Sequence, residues 1–195
     1  MLLTIKINRN EKITKTLRGI LLSLIAVIPM ACAAGPLAKT EAREVTNFEK
    51  IEVSGLVNVK IEHGDKAGIE VRAYGIALQD IITEVDDDTL LVTTKGSHSG
   101  ESISIKVTYT DLIALKTSGS ATITTIGVLK ADSINIEITD AGDADLELDV
   151  NQLNIDMRGN GNLKLAGQTV SQSLTSHGGG GSLSNTGLRI IGKQS

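Results

Sequence analysis

Five carboxylates crowd one turn and the strand that follows it: Asp140, Asp143, Asp145, Glu147 and Asp149. Side chains of an extended chain alternate between its two faces, so Asp145, Glu147 and Asp149 share the face opposite Ala144, Leu146 and Leu148. Hard cations such as calcium take oxygen ligands of this kind, which makes Asp140, Asp143 and Asp145 the metal candidates. Their spacing matches neither the EF-hand loop nor the nonapeptide calcium repeat, and an outward row of acids also serves as a plain solvated face. Paired acids are the equipment of glycoside hydrolases as well, so a carbohydrate-active enzyme is the alternative function. No aromatic residue follows Tyr109 to act as a sugar platform, which ranks catalysis below simple binding.

The remaining chemistry is sparse. His63, His98 and His177 are scattered, each in a predicted turn, whereas metal sites announce themselves by closely spaced ligands. They read as solvated turn residues. No serine stands in a Gly-x-Ser-x-Gly elbow between strand and helix. The sequence therefore assigns no catalytic residue, no resident metal and no cofactor.

The elements that would position these groups are short strands. Between Leu112 and Gly187 one design recurs: an apolar run, a glycine-bearing polar turn, and an apolar residue four places after the glycine. The glycines are Gly119, Gly142, Gly161 and Gly179, followed by Ile123, Leu146, Leu165 and Leu183. Internal repeats of about 20 residues signal a stacked or coiled architecture. Upstream, Ile51 and Val53, then Val57, Val59 and Ile61, alternate with polar partners around Ser54-Gly55. Ile69, Val71 and Ala73 resume the alternation, as do Ile103, Ile105, Val107 and Tyr109. This period of two is the mark of a strand with one buried face. Residues 75–88 are less regular, with room for one helical turn, and read as irregular edge structure ending in a turn at Asp86-Asp87-Asp88, with Leu90 to Thr94 a strand and Lys95 to Ser102 a loop.

Two all-β architectures compete. An antiparallel β-sandwich explains alternation and turns, but a right-handed parallel β-helix-like solenoid also explains why units look alike. Ile134-Asn-Ile-Glu-Ile138 and Leu153-Asn-Ile-Asp-Met157 superpose when shifted by 19 residues, apolar on apolar. That favours stacked coils with Ile136, Leu146, Ile155 and Leu165 inside. It also sets Glu137 beside Asp156 at the ladder spacing of about 4.8 Å, where like charges repel unless a cation intervenes.

The series Phe48, Ile51, Val53, Gly55, Val59, the Asp87-Asp88-x-Leu90 turn and the serial glycine turns together resemble the auto-transporter adhesin head GIN domain family. The resemblance spans about Phe48 to Leu188, and its motifs gain specificity only as a set. It implies a parallel β-helix-like fold on exported bacterial envelope proteins, with an adhesion-type role. The run Gly178 to Gly181 is barer than the family pattern.

The beginning of the chain supplies an address. Lys6, Arg9, Lys12, Lys15 and Arg18 precede the uncharged run from Ile20 to Met30, and Ala31-Cys32-Ala33 follows. That is the basic, apolar and small-residue order of a secretory signal, and the run is far shorter than the roughly 20 residues of a membrane-crossing helix. The expected organisation is a signal over 1–33, a leader over 34–47 and a β domain over 48–195. Cys32 is the sole cysteine, so no disulfide framework exists. It is also the candidate lipidation site, although Pro29 stands where a lipoprotein box wants a branched aliphatic. The expected location is the periplasm, outer membrane or cell surface, with membrane attachment only through a lipid on Cys32. Past residue 34 the chain has 14 basic and 22 acidic groups, a net of about −8 that repels phosphate backbones and excludes nucleic acid as a partner. The expected partner is an envelope or extracellular protein or glycan.

Overall fold

A computed structural model of the chain describes residues 38–96 and 101–192, all within the compact unit Ala34–Ser195. The signal, Cys32 and His98 lie outside the described residues. Among the described residues, 13 strands form one sheet of mixed pairing. In chain order they are β1 (Lys39–Arg43), β2 (Lys50–Val53), β3 (Asn58–His63), β4 (Gly68–Tyr74), β5 (Ile81–Asp86), β6 (Thr89–Thr94) and β7 (Ser102–Tyr109). Then follow β8 (Ala114–Thr117), β9 (Thr122–Thr125), β10 (Leu129–Asp140), β11 (Asp143–Gly159), β12 (Asn162–Ser176) and β13 (Ser182–Ile190).

From β8 onward every pairing is parallel, and the units stack at near-constant shifts. Ile136 lies beside Leu115 on one side and Ile155 on the other, and Ile155 lies beside Leu174. In the second ladder Leu146 lies beside Leu165, and Leu163 beside Leu183. An antiparallel sandwich is thus not what these residues build, because the apolar stripes recur at the same level in successive units. Antiparallel pairs occur at the other end of the sheet, where β4 joins β7 and β1, and β5 joins β6.

The long strands turn a corner. In β11, Ala144, Leu146, Leu148 and Val150 are buried, Asn151 and Gln152 are both exposed, and burial resumes at Leu153, Ile155 and Met157. A one-residue slip in alternation moves the apolar set to the opposite side of the strand. Since both halves bury their apolar residues in one cluster, the strand bends at Asn151 so that both face the same interior. The same slip occurs in β10 at Asp132–Ser133. Ile136, Leu146, Ile155 and Leu165 are all in that core.

Three local expectations are corrected. Residues 75–88 lie at the sheet edge but are not irregular: the one helical turn they had room for forms, as a 3₁₀ turn at Leu78–Asp80, and leads into the regular edge strand β5. Ile82 on an outward position and Thr83 on an inward one had hidden its alternation. The turn after it is a two-residue hairpin loop in which Asp87 and Asp88 both have positive φ, 44° and 62°, as the tight turns matching strand twist require. Lys39–Arg43, within the stretch read as leader, is a strand of the sheet.

The third correction concerns repeat register. Gly142 and Gly161 stack as marked, but Thr122 pairs with Asp143 and Ser182 with Asn162. The first and last turns are therefore longer than the middle two, spanning 118–121 and 177–181 against 141–142 and 160–161. Ile123 meets Ala144 instead of Leu146, and Leu183 meets Leu163 instead of Leu165. Gly161 shows why the turn is glycine: a Cβ there would sit 1.9 Å from the Gly142 carbonyl oxygen one level down.

Candidate functional site

The carboxylate row lies on the outer face of β11, and each member meets whatever the next level places beside it. Asp143 Oδ1 accepts hydrogen bonds from the Asn162 backbone N–H at 2.7 Å and from Asn162 Nδ2 at 3.0 Å. Asn162 Oδ1 in turn accepts from Ser182 Oγ at 2.7 Å. Asp145 pairs with Lys164 Nζ at 2.8 Å. Asp149 Oδ1 accepts from Gln168 Nε2 at 2.9 Å, and Gln168 Oε1 accepts from Arg189 at 3.2 Å. Glu147 has Ala166 across the ladder, which offers it no donor.

The calcium candidates are therefore divided rather than gathered. Asp140 ends β10 with φ 55°, where its Oδ2 accepts from the Gly119 N–H at 3.4 Å, while Asp143 and Asp145 hold their own partners one level on. Among the described residues, no group of three or more His, Cys, Asp or Glu side chains converges as metal ligands would. The row is a set of cross-strand pairs, the sheet's ordinary unit of side-chain stabilisation.

The other ladder resolves the Glu137–Asp156 contact with a cation from the chain itself. Arg158 projects from the same face of the same strand as Asp156 and donates to both its carboxylate oxygens, at 3.1 and 2.5 Å. It also stands 3.9 Å from Glu137. The Arg158 guanidinium holds the Asp156 carboxyl below its ordinary value of 3.8, and His177 Nε2, 3.2 Å away, adds to the effect. Sequence reasoning saw the repulsion and missed Arg158, although a residue two places along a strand is on the same face.

The other described histidine, His63, contacts an aromatic ring: it packs edge-on against Tyr109, ring centroids 5.8 Å apart. Burial pushes the Tyr109 phenol up to about 12. No nucleophile, base and orienting acid come together around either histidine.

Where the ladders end, strand irregularity opens a cleft of about 340 Å³ lined by Val128, Glu147, Asp149, Gln168, Gly187 and Arg189. Two features shape it. Gly167 has φ 101°, and a Cβ there would meet the Leu148 carbonyl oxygen at 2.0 Å. The β12–β13 register shifts by one residue between Lys164 and Ala166, the bulge that re-aims side chains at a sheet edge. The cleft brings together two carboxylates, an amide, a guanidinium and an apolar wall. Such a set can hydrogen-bond hydroxyls or amides of a ligand. Gln168 and Arg189 were not foreseen, although a shift of 19 from Asp149 would have pointed to Gln168.

Comparisons with known proteins accord with this fold. No curated protein matches the chain. Among solved structures, a "putative adhesin" from Bacteroides fragilis NCTC 9343 superposes with a TM-score of 0.71 at 23% identity, covering 79% of this chain and 73% of that one. A "putative lipid binding protein" from Parabacteroides distasonis ATCC 8503 gives 0.62 at 17% identity, covering 78% and 75%. A "putative adhesin" from the same organism gives 0.61 at 20%, covering 80% and 76%. At these identities the likeness is one of fold. The family model described as "Putative auto-transporter adhesin, head GIN domain" matches residues 47–190, and the chain belongs to that family.

Proposed function

We propose that this chain is a non-enzymatic, adhesion-type binding domain of the bacterial envelope, recognising a protein or glycan through the polar outer faces of its parallel ladders. The observation that carries the reading is the state of the carboxylates. Asp143, Asp145 and Asp149 are each occupied by an amide or ammonium group on an open face. A glycosidase acid is set apart by burial from its partner, and this row has no such division. Family membership supports an adhesion-type role, and the signal-like first 33 residues support export to the periplasm, outer membrane or surface, with Cys32 as the point of any lipid anchor. The near-constant 19- to 21-residue shifts support a right-handed parallel β-helix-like winding of residues 114–190.

The test is a glycan and protein array probed with the exported protein and with Asp149→Asn and Arg189→Gln variants. Retention of a ligand that either substitution weakens about tenfold, the scale of one lost charged contact, is the expected outcome. Turnover of a glycan, abolished by Asp143→Asn, would replace the binding reading with the carbohydrate-active one.

A further inference from the structure

The cleft over Glu147 is built by a break in one ladder. The pairing of β9 with β11 ends at Thr124 and Asp145, and that of β10 with β11 begins at Leu129 and Leu148. Between the two, Ile126-Gly127-Val128 bend out of the strand, with Gly127 at φ 76°. Glu147 lies opposite the break, and its backbone N–H donates to Thr125 Oγ1 at 2.9 Å where a ladder carbonyl would otherwise accept. Val128 is left at the rim, 41% exposed, lining the same cleft as Glu147. On the other side Ala166 and then Gly187 continue the row of Glu147. Described strands therefore bound the site on both sides, and its floor carries almost no side chain.

Within the cleft one group is left over. Asp149 accepts from Gln168, and Gln168 accepts from Arg189. The cations on adjoining rungs are directed elsewhere: Lys164 holds Asp145 at 2.8 Å, Arg189 holds Gln168, and Lys130 lies beside Asp149. The Glu147 side chain is exposed, and among the described residues it has neither an ion pair nor a hydrogen bond. Asp145 and Asp149 share its face, in a domain of net charge about −8. Carboxylates gathered in a cleft concentrate a field that draws in cations.

We propose that this cleft takes a basic side chain, lysine or arginine, of a partner protein. The proposal rests on the binding reading above and names what enters the site. The cation meets Glu147, and the methylene stem lies along Val128 and over Ala166. Both demands of the site select this chemistry. Hydroxyls and amides leave the carboxylate without a counter-charge, and an ammonium carried directly on a sugar ring has no stem to cover Val128. Lysine and arginine bring a charged head on an apolar stem, the shape that lays its stem on apolar surface.

The test titrates the full chain with end-blocked lysine–glycine and arginine–glycine peptides, followed by amide chemical shifts. Saturable shifts centred on Leu129, Glu147 and Ala166 are expected. Glu147→Gln is expected to raise Kd about tenfold, the scale of one lost charged contact, and Val128→Ser roughly fivefold through lost apolar burial. Both side chains are exposed, and the core amide shifts report that each variant folds. Acetylation of the lysines keeps the stem and removes the charge, and is expected to abolish binding of that peptide. Asp111→Asn removes an exposed acid outside the cleft and is expected to leave Kd unchanged. Equal losses for Glu147→Gln and Asp111→Asn, undiminished binding after acetylation, or no saturable binding of either peptide would each overturn the proposal. So would a glucosamine oligomer that binds more tightly than both peptides and is indifferent to Val128→Ser. A ligand that Asp149→Asn or Arg189→Gln weakens and Glu147→Gln does not would overturn the basic side chain as occupant while the binding reading stands.

Discussion

At the scale of the residue, the outer faces are settled by neighbours 19 residues apart and two residues apart. Asp156 shows how this reads out in pH. Its carboxyl is held below 3.8 chiefly by the hydrogen bond from Arg158, so the native chain binds fewer protons there than the unfolded chain. The stabilisation is therefore present above 3.8 and fades as pH falls through the native value. Arg158→Gln is expected to lower Tm at neutral pH and to leave Glu137 and Asp156 repelling each other, more so at low salt. The gap from wild type should close as the solution is acidified below 3.8. A gap that persists unchanged in strong acid would show that Arg158 acts through packing instead of charge.

The element that defines the molecule is the strand, turn and strand unit, and its turn is fixed by contact between levels. Gly161→Ala would drive a methyl group into the Gly142 carbonyl, which belongs to the backbone of the adjacent turn and has little room to yield. The expected loss is about 3 kcal/mol, the upper part of the overpacking range, read as a lower urea midpoint at constant m-value. Gly68→Ala is the control, because its Cβ would meet nothing within 4 Å and should change stability by no more than about 0.5 kcal/mol. Equal effects at the two sites would mean that glycine is used in the turns for chain flexibility and not for close approach.

For the whole molecule, the question is how a stack with two ends is terminated. The amino-terminal closure depends on Arg43 of β1, whose side chain is 17% exposed and donates to the Leu78 and Ile81 carbonyls and to Thr83 Oγ1, tying β1 to β5. Arg43→Met keeps the apolar stem and leaves the Leu78 and Ile81 carbonyls without their donor. A hydrogen bond to a charged group is worth about 1.5–3 kcal/mol, so the expected loss is about 3 kcal/mol. Amide exchange should accelerate in β1 and β5 before β10 or β11, as local opening of a terminal unit predicts. Uniform acceleration throughout the sheet would mean that the cap and the parallel stack unfold as one.

The sequence by itself determined most of the strands, the interior and the pairing of the middle levels, and missed β1 and β5. Apolar alternation is a local property, and Ile136 and Ile155 occupy matching places in matching segments, so their adjacency was legible from the residues alone. The same match exposed the Glu137–Asp156 conflict. What only the tertiary structure decided was register wherever turn lengths differ. Ile123 and Leu183 each moved two residues from the level their glycines had marked, because a longer turn lets the chain re-enter the sheet later without breaking alternation. The contact of Arg189 with Gln168, and the latch from Arg43 to Leu78 and Ile81, join residues 21 to 38 apart that no local pattern brings together. The direction of β4, β5 and β1 was likewise invisible, since a period of two is the same in parallel and antiparallel strands.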